Sequence, residues 1–292
     1  MQADRNIYVQ EAKMLQAVFR IWLTATCCAA CLLLPVRYAS AANELVFGVY
    51  PYLSSSQIVE QFSTLGDHLA QALGRPIDLR SAPDFERFIE RTRTAEYDII
   101  FTAPHMGRLA EKRDGYLPLA QTGYPIVVVV LARKDGSIKK LTDLKGHTLA
   151  TGAKLSMSYQ MVDRELEKHG LMIGRDVRFV NTASFSNVLE ALVRNEADAG
   201  ATGTLLWDKA PPDKHQVLHA IWRSQPIPGF LVLAHPRIGA AAIERLKQAL
   251  LGFGKTPAGR TYFEKTQQLD FRPIDAATLK RIDPYSAVFD NP

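Results

Sequence analysis

From residue 44 onward the chain alternates short apolar runs, many of them β-branched, with longer stretches whose apolar residues recur every three or four positions. Few folds accept that alternation, because strands interleaved with helices build a mostly parallel sheet with helices packed on its faces. Glu44-Leu45-Val46-Phe47-Gly48-Val49-Tyr50 reads as a first strand and Pro51-Tyr52-Leu53 as a turn. Ser54-Ser55-Ser56 then precede a helix whose buried face carries Ile58, Phe62, Leu65, Leu69 and Leu73, and which stops at Gly74. A second strand is expected over 76–79, a second helix around Phe85, Phe88 and Ile89, and a third strand over 97–101.

Residues 126–131 form an unbroken apolar run, the pattern of a strand covered on both faces. After Asp135-Gly136 the alternation restarts: a short helical turn at 141–145, a strand at 147–150, a helix from Ser156 through Val162 and Leu166 to Gly170, a strand at 177–180, and a helix at 187–194. Runs at 217–221 and 230–234 are expected to bring the chain back to the first unit, and helices at 243–251 and 259–265 to complete it. The expected division is one lobe from 42–130 plus 226–292 and a second from 131–225. An internal echo supports two equivalent lobes: Glu96-Tyr97-Asp98 and a strand ending at Thr102 is followed 100 residues later by Glu196-Ala197-Asp198 and a strand ending at Thr202. Each places a hydroxyl at the carboxyl end of a strand, where open α/β sheets bind ligands.

Residues 1–41 read as an address. The apolar run 21–36 follows Arg20, is too short for the roughly 20 residues of a spanning helix, and leads into Ala39-Ser40-Ala41, a small-x-small cleavage site. Asp4 and Glu11 are unusual upstream of such a run, and a start at Met14 restores a leader of ordinary length. Export to the periplasm is therefore expected, and no later segment is long and apolar enough to span a membrane. All three cysteines, Cys27, Cys28 and Cys31, fall in this leader, so disulfides, thiolate metal sites and cysteine nucleophiles are not expected in the exported part. Cys28-Ala29-Ala30-Cys31 is similar to a lipoprotein site but lacks the large aliphatic residue three before the cysteine, and lipidation is not expected. Loss of the leader, with four basic and two acidic residues, reduces the formal charge from +5 to +3, too mild and dispersed for nucleic acid.

The stretch with most chemical content is Lys154-Leu155-Ser156-Met157-Ser158-Tyr159, where a strand gives way to a helix. A helix N-terminus offers unpaired N–H groups and the positive end of its dipole, and hydroxyls there complete a pocket for an anion. The simpler alternative is that Ser156 only caps the helix. Gly-x-Ser-x-Gly, His-Glu-x-x-His and P-loop patterns are absent, and the hydroxyls have no evident base beside them, so an enzyme is not expected. His68, His147, His169, His215, His219 and His235 show no paired ligand spacing, and neither a metal nor a cofactor is expected.

Phe47-Gly48-Val49-Tyr50-Pro51-Tyr52, Leu73-Gly74-Arg75-Pro76, Tyr97-Asp98-Ile99-Ile100-Phe101, Leu144-Lys145-Gly146 and Ala197-Asp198-Ala199-Gly200-Ala201, in this order, give the chain a family likeness over about 45–271. It resembles the phosphate/phosphite/phosphonate substrate-binding proteins of ABC transporters. The resemblance implies a type II periplasmic binding fold: two lobes joined by two crossover strands, closing on an oxyanion and delivering it to a permease, with a monomer as the expected state. It places the family's Ser-x-Ser clamp on Ser156 and Ser158, its first loop on Tyr52, Ser54 and Ser55, and its Gly-Pro loop on Ala103-Pro104, followed by His105. The chain departs from the family where Tyr159 stands for glycine, where Ser184-Phe185 stands for Ser-His, and around Gly203 and Thr204, where acidic residues that hold a ligand amine are missing.

Expected ligand contacts are accordingly Tyr52, Ser54, Ser55, Thr102, His105, Ser156, Ser158, Tyr159, Ser184, Thr202 and Thr204, with His105 supplying the imidazole missing at Phe185. Phe185 and Trp207 are expected to pack. Without a carboxylate for an amine, a simple oxyanion or an unaminated phosphonate is favoured over an aminophosphonate, since charge-assisted hydrogen bonds are about twice as strong as neutral ones. A sensing module that presents the bound anion to a membrane receptor, and a binding protein for a sulfonate or another organic anion, fit the same residues.

Overall fold

The computed structural model describes residues 44–182 and 185–289. The expected leader, its three cysteines and Ser184 lie outside them. In the first lobe β1 (Leu45–Val49) leads to α1 (Ser55–Leu73), β2 (Ile77–Arg80), α2 (Phe85–Arg93), β3 (Ile99–Thr102), α3 (Pro104–Asp114) and β4 (Leu117–Thr122). The second lobe holds β5 (Val128–Arg133), β6 (Thr148–Thr151), α4 (Met157–Lys168), β7 (Arg178–Asn181), α5 (Phe185–Val193), β8 (Ala199–Gly203), α6 (Thr204–Asp208), α7 (Pro212–Val217) and β9 (Leu218–Arg223). The chain then returns through β10 (Leu231–Ala234), α8 (Ala240–Phe253), α9 (Pro257–Thr266), β11 (Phe271–Arg272), α10 (Ala276–Lys280) and α11 (Asp283–Ser286).

Helix α1 forms where the apolar spacing puts it, burying Ile58, Phe62, Leu65, Leu69 and Leu73. Ser54 caps it by accepting the Gln57 N–H while the Gln57 side chain accepts the Ser54 N–H, and Gly74 ends it in the left-handed region at φ 65°. The first sheet has the order β11-β4-β10-β3-β1-β2 and the second β7-β6-β8-β5-β9. The two-lobed α/β class is the expected one, but each sheet is only half parallel. The strands of the strand–helix units pair in parallel, β1 with β2 and β3, and β6 with β7 and β8. Antiparallel strands flank them, because β5 and β10 enter from the inter-lobe crossings and start beside the ends of β8 and β3: Val128 faces Gly203 and Leu231 faces Thr102.

The crossings correct two expectations. All of β5 belongs to the second sheet, so the chain changes lobe within residues 123–127, earlier than the 130/131 boundary. Strand β9 pairs with β5 and stays in the second lobe, so of the two runs expected to return the chain only β10 does so. The crossings hold each other: the backbone N–H groups of Ile126 and Ile227 each donate to the other's carbonyl at 3.0 Å. Gly229 permits this approach, since a Cβ there would lie 2.3 Å from Thr122 Oγ1 and 2.4 Å from its carbonyl oxygen.

The first lobe packs around rings, among them Phe47, Phe62, Phe88, Phe101 and Phe253. In the second, β5 is covered on both faces as its apolar run implied, with Val128, Val130 and Ala132 in one aliphatic cluster and Val129 and Leu131 in the other. Residues near the chain's end touch both lobes. Asp283 on α11 accepts from Arg108 Nε at 2.6 Å and lies 2.8 Å from Lys112 Nζ, both on α3. Two residues on, Tyr285 lies under the Arg164 guanidinium of α4 at 5.9 Å and packs against the second lobe's core. Arg281 donates to the Pro226 carbonyl in the second crossing at 2.7 Å.

Candidate functional site

Strand ends of both lobes and the two crossings surround a cleft of about 1070 Å³. On the second-lobe side three hydroxyls form a chain. Thr151, at the end of β6, lies 2.8 Å from Ser158, which lies 3.1 Å from Ser156, and Ser156 accepts the Tyr159 N–H as the N-cap of α4. Two hydrogen bonds among three hydroxyls consume two of three hydrogens, which leaves one to donate. With Thr151 donating to Ser158 and Ser158 to Ser156, the remaining hydrogen belongs to Ser156, which lines the cleft at the positive end of α4. Both serines are nearly buried, at 3% and 4% exposure, so their orientation is fixed by neighbours.

On the first-lobe side the lining is aromatic. Tyr52 stacks on Tyr50 with centroids 4.7 Å apart, and Phe230 stands 5.5 Å from the first ring and 5.6 Å from the second. Burial pushes the Tyr52 phenol up, so it remains a neutral donor. Ser54 and Ser55 line the cleft at the exposed start of α1, where Ser54 is engaged with Gln57. Thr204 lines it as the first residue of α6, its N–H donating to the Val127 carbonyl of the first crossing at 2.9 Å.

Three expected residues stand elsewhere or act otherwise. Tyr159 is not among the residues lining the cleft; its ring packs edge-on against Phe179 at 5.0 Å, and burial, with Asp163 adding to it, pushes its phenol up to about 12. One position past Ser158 is a rotation of about a quarter turn, enough to aim it at β7. His105 lines the cleft, but its Nε2 donates to the Leu155 carbonyl at 2.8 Å, tying the first lobe to the second. Burial holds its pKa near about 4 despite that bond, so the ring is neutral, its one hydrogen is committed, and Nδ1 has only a lone pair. It cannot supply an anion with the imidazole donor expected of it. Thr102 Oγ1 and Thr202 Oγ1 are buried without a hydrogen-bond partner among the described residues; Thr202 lines the cleft and Thr102 is not among the residues that do. Ser184 lies outside the described residues. Trp207 packs as expected, its ring 4.0 Å from that of His215.

Sequence reasoning passed over the cleft's charges. Lys209, Lys214 and Lys265 line it, against one carboxylate among the described lining residues, Glu190. Lys214 holds Glu190 at 2.9 Å, Lys265 pairs with Glu60 at 2.6 Å, and Lys209 forms no ion pair among the described residues. The surplus is positive. Single lysines on or just past surface helices carry no motif, so only the fold reveals that Lys209 after α6, Lys214 of α7 and Lys265 of α9 line one place.

A family model described as ABC transporter, phosphonate, periplasmic substrate-binding protein matches residues 47–279. The phosphonates-binding periplasmic protein of Escherichia coli (strain K12) is 25% identical over 257 residues, 82% of this chain and 75% of that protein. Among solved structures, PhnD1 from Prochlorococcus marinus (MIT 9301) in complex with methylphosphonate aligns over 85% of this chain and 99% of its own, with TM-score 0.74 and 17% identity. XAC2383 from Xanthomonas citri bound to ATP aligns over 84% and 96%, with TM-score 0.74 and 23% identity.

Proposed function

The chain belongs to the phosphonate periplasmic substrate-binding proteins of ABC transporters, and from that membership we propose that it captures a phosphorus oxyanion between its lobes by hinge closure and passes it to a membrane permease. The family works in the periplasm and binds substrate for transport. Removal of residues 1–41 as a leader belongs to the same proposal, and N-terminal sequencing of the exported protein checks it.

The observation that carries the reading is the hydroxyl chain of Thr151, Ser158 and Ser156, with one hydrogen to give, facing a cleft whose charged residues are three lysines and one already paired glutamate. Such donors suit an anion with several oxygens, and the helix dipole behind them adds to the attraction. Neutral His105, donating across the cleft to Leu155, marks the state in which the lobes touch. Ligand favours that state only by as much as it binds it better than the open one. With Glu190 held by Lys214, an ammonium group finds no free carboxylate, so unaminated phosphonates are preferred.

Ligand that binds only the folded protein stabilises it by about 2.7 kcal/mol at 100 times Kd. A thermal-shift series with phosphate, phosphite, methylphosphonate, aminoethylphosphonate, sulfate and taurine therefore tests the reading. Methylphosphonate is expected to raise the melting temperature more than aminoethylphosphonate, and sulfate and taurine to leave it in place. Absence of a shift with every phosphorus compound would sink the proposal.

A further inference from the structure

The cleft is larger and more aromatic than a bare oxyanion requires. Cavities that bury drug-sized ligands run to ~300–1,000 Å³, and this one reaches about 1070 Å³. Its first-lobe wall adds Phe85, 5.9 Å from the Tyr50 ring, to the group formed by Tyr50, Tyr52 and Phe230. Tyr52, Phe85 and Phe230 are only half-buried, and all four residues line the cavity. A methyl group on phosphorus would leave most of this ring surface wet, whereas burying apolar surface against rings is favourable in proportion to the area covered. An aromatic substituent gains more, because ring pairs at centroid separations of ~4.5–7 Å attract beyond their buried area. A charged amino substituent gains nothing comparable, since the one carboxylate among the described lining residues, Glu190, is occupied by Lys214.

Building on the reading that the cleft binds a phosphonate, we propose that its ligand is one with a planar, unsaturated substituent, an aryl- or heteroarylphosphonate. The oxyanion sits at the hydroxyl of Ser156, the end of the hydroxyl chain with a hydrogen to give, and the ring is seated on Tyr52 and Phe230. The second lobe then recognises the phosphorus group, and the first lobe selects among phosphonates by what is attached to it.

Titration calorimetry of the purified protein with methylphosphonate, cyclohexylphosphonate and phenylphosphonate tests this. Phenylphosphonate is expected to bind about tenfold more tightly than methylphosphonate, with cyclohexylphosphonate between them. Phe230→Leu, which keeps an apolar side chain beside Tyr50 and Tyr52, is expected to lower the phenyl-to-methyl affinity ratio about fivefold. Methylphosphonate binding as tightly as phenylphosphonate overturns the inference and leaves the proposed function standing. Equal binding of cyclohexyl- and phenylphosphonate overturns the planar substituent, and failure of all three to bind overturns both readings. The wild-type comparison decides the matter even if the variant does not fold.

Discussion

The two lobes share a backbone device and differ in almost everything attached to it. In each, a residue with positive φ, Ala95 at 55° and Asn195 at 58°, turns the chain out of a helix and into an Asp-led strand. Asp98 accepts the N–H of Val46 at 2.8 Å and Asp198 the N–H of Thr148 at 2.7 Å, so each carboxylate fastens the start of the neighbouring strand. Each strand carries a buried threonine at or next to its last residue, Thr102 and Thr202, whose hydroxyl has no partner among the described residues. Around that common frame the first lobe builds a ring-filled core and an aromatic cleft wall, the second an aliphatic core and a hydroxyl-lined wall. Strand spacing and helix cover are set by the carboxylates and by apolar burial, which leaves the residues just past the strand ends free to diverge.

Core truncation should separate the lobes most. Phe62→Ala, in the ring-filled core, is expected to cost about 4 kcal/mol and Leu166→Ala, in the aliphatic one, about 3 kcal/mol by urea unfolding. Equal or reversed costs would deny that rings are the first lobe's main support. The two N-cap serines offer a sharper contrast, because both should lose about 1 kcal/mol of stability on change to alanine while only one should change binding. Ser156→Ala removes a hydrogen bond to a charged group, worth ~1.5–3 kcal/mol, and calorimetry should show methylphosphonate affinity falling at least tenfold; Ser54→Ala should leave it within about twofold. If Ser54→Ala weakens binding as much, the start of α1 holds the anion as closely as the start of α4 does.

A smaller effect concerns the Asp198 fastening. Burial acts to raise its carboxyl, but the Thr148 hydroxyl and N–H, with His147, outweigh it and hold the pKa below the usual value. A carboxyl depressed on folding contributes stability above its unfolded pKa of about 3.9, and that contribution is lost as pH falls through the lower folded value. Asp198→Asn should therefore lower stability at pH 7, and the gap to the parent should close in acid; a gap that persists below about pH 2 would show that the group acts by packing, not by charge.

Much of the frame could be read from the chain alone because it is local. The spacing from Ile58 to Leu73, the caps at Ser54 and Ser156, and the unbroken run of β5 each state their structure within a few residues. Strand β4 is not legible in the chain, since Leu117-Pro118-Leu119-Ala120-Gln121-Thr122 has no β-branched run, contains a proline, and is held in place by β10 from 110 residues away, across an irregularity in register. The division at 225 puts β9 in its proper lobe, whereas its role as a returning strand fails because its partner, β5, is distant in sequence. At the cleft, a Ser-x-Ser at a strand-to-helix step is visible in one dimension, whereas the hydrogen His105 gives to Leu155 and the turning of Tyr159 toward Phe179 depend on which surfaces meet. Lys209, Lys214 and Lys265 converge only after folding.

Asp283 and Tyr285, two residues apart, hold α3 of one lobe and α4 of the other. A plate hung from two points swings freely about the line between them, and a third attachment off that line removes the swing unless it can slip. The Arg164–Tyr285 contact, a cation over a ring face, fixes no hydrogen-bond angle, unlike the bond from Arg108 to Asp283. Any rotation of one lobe against the other would therefore have to carry both contacts with it or break one of them.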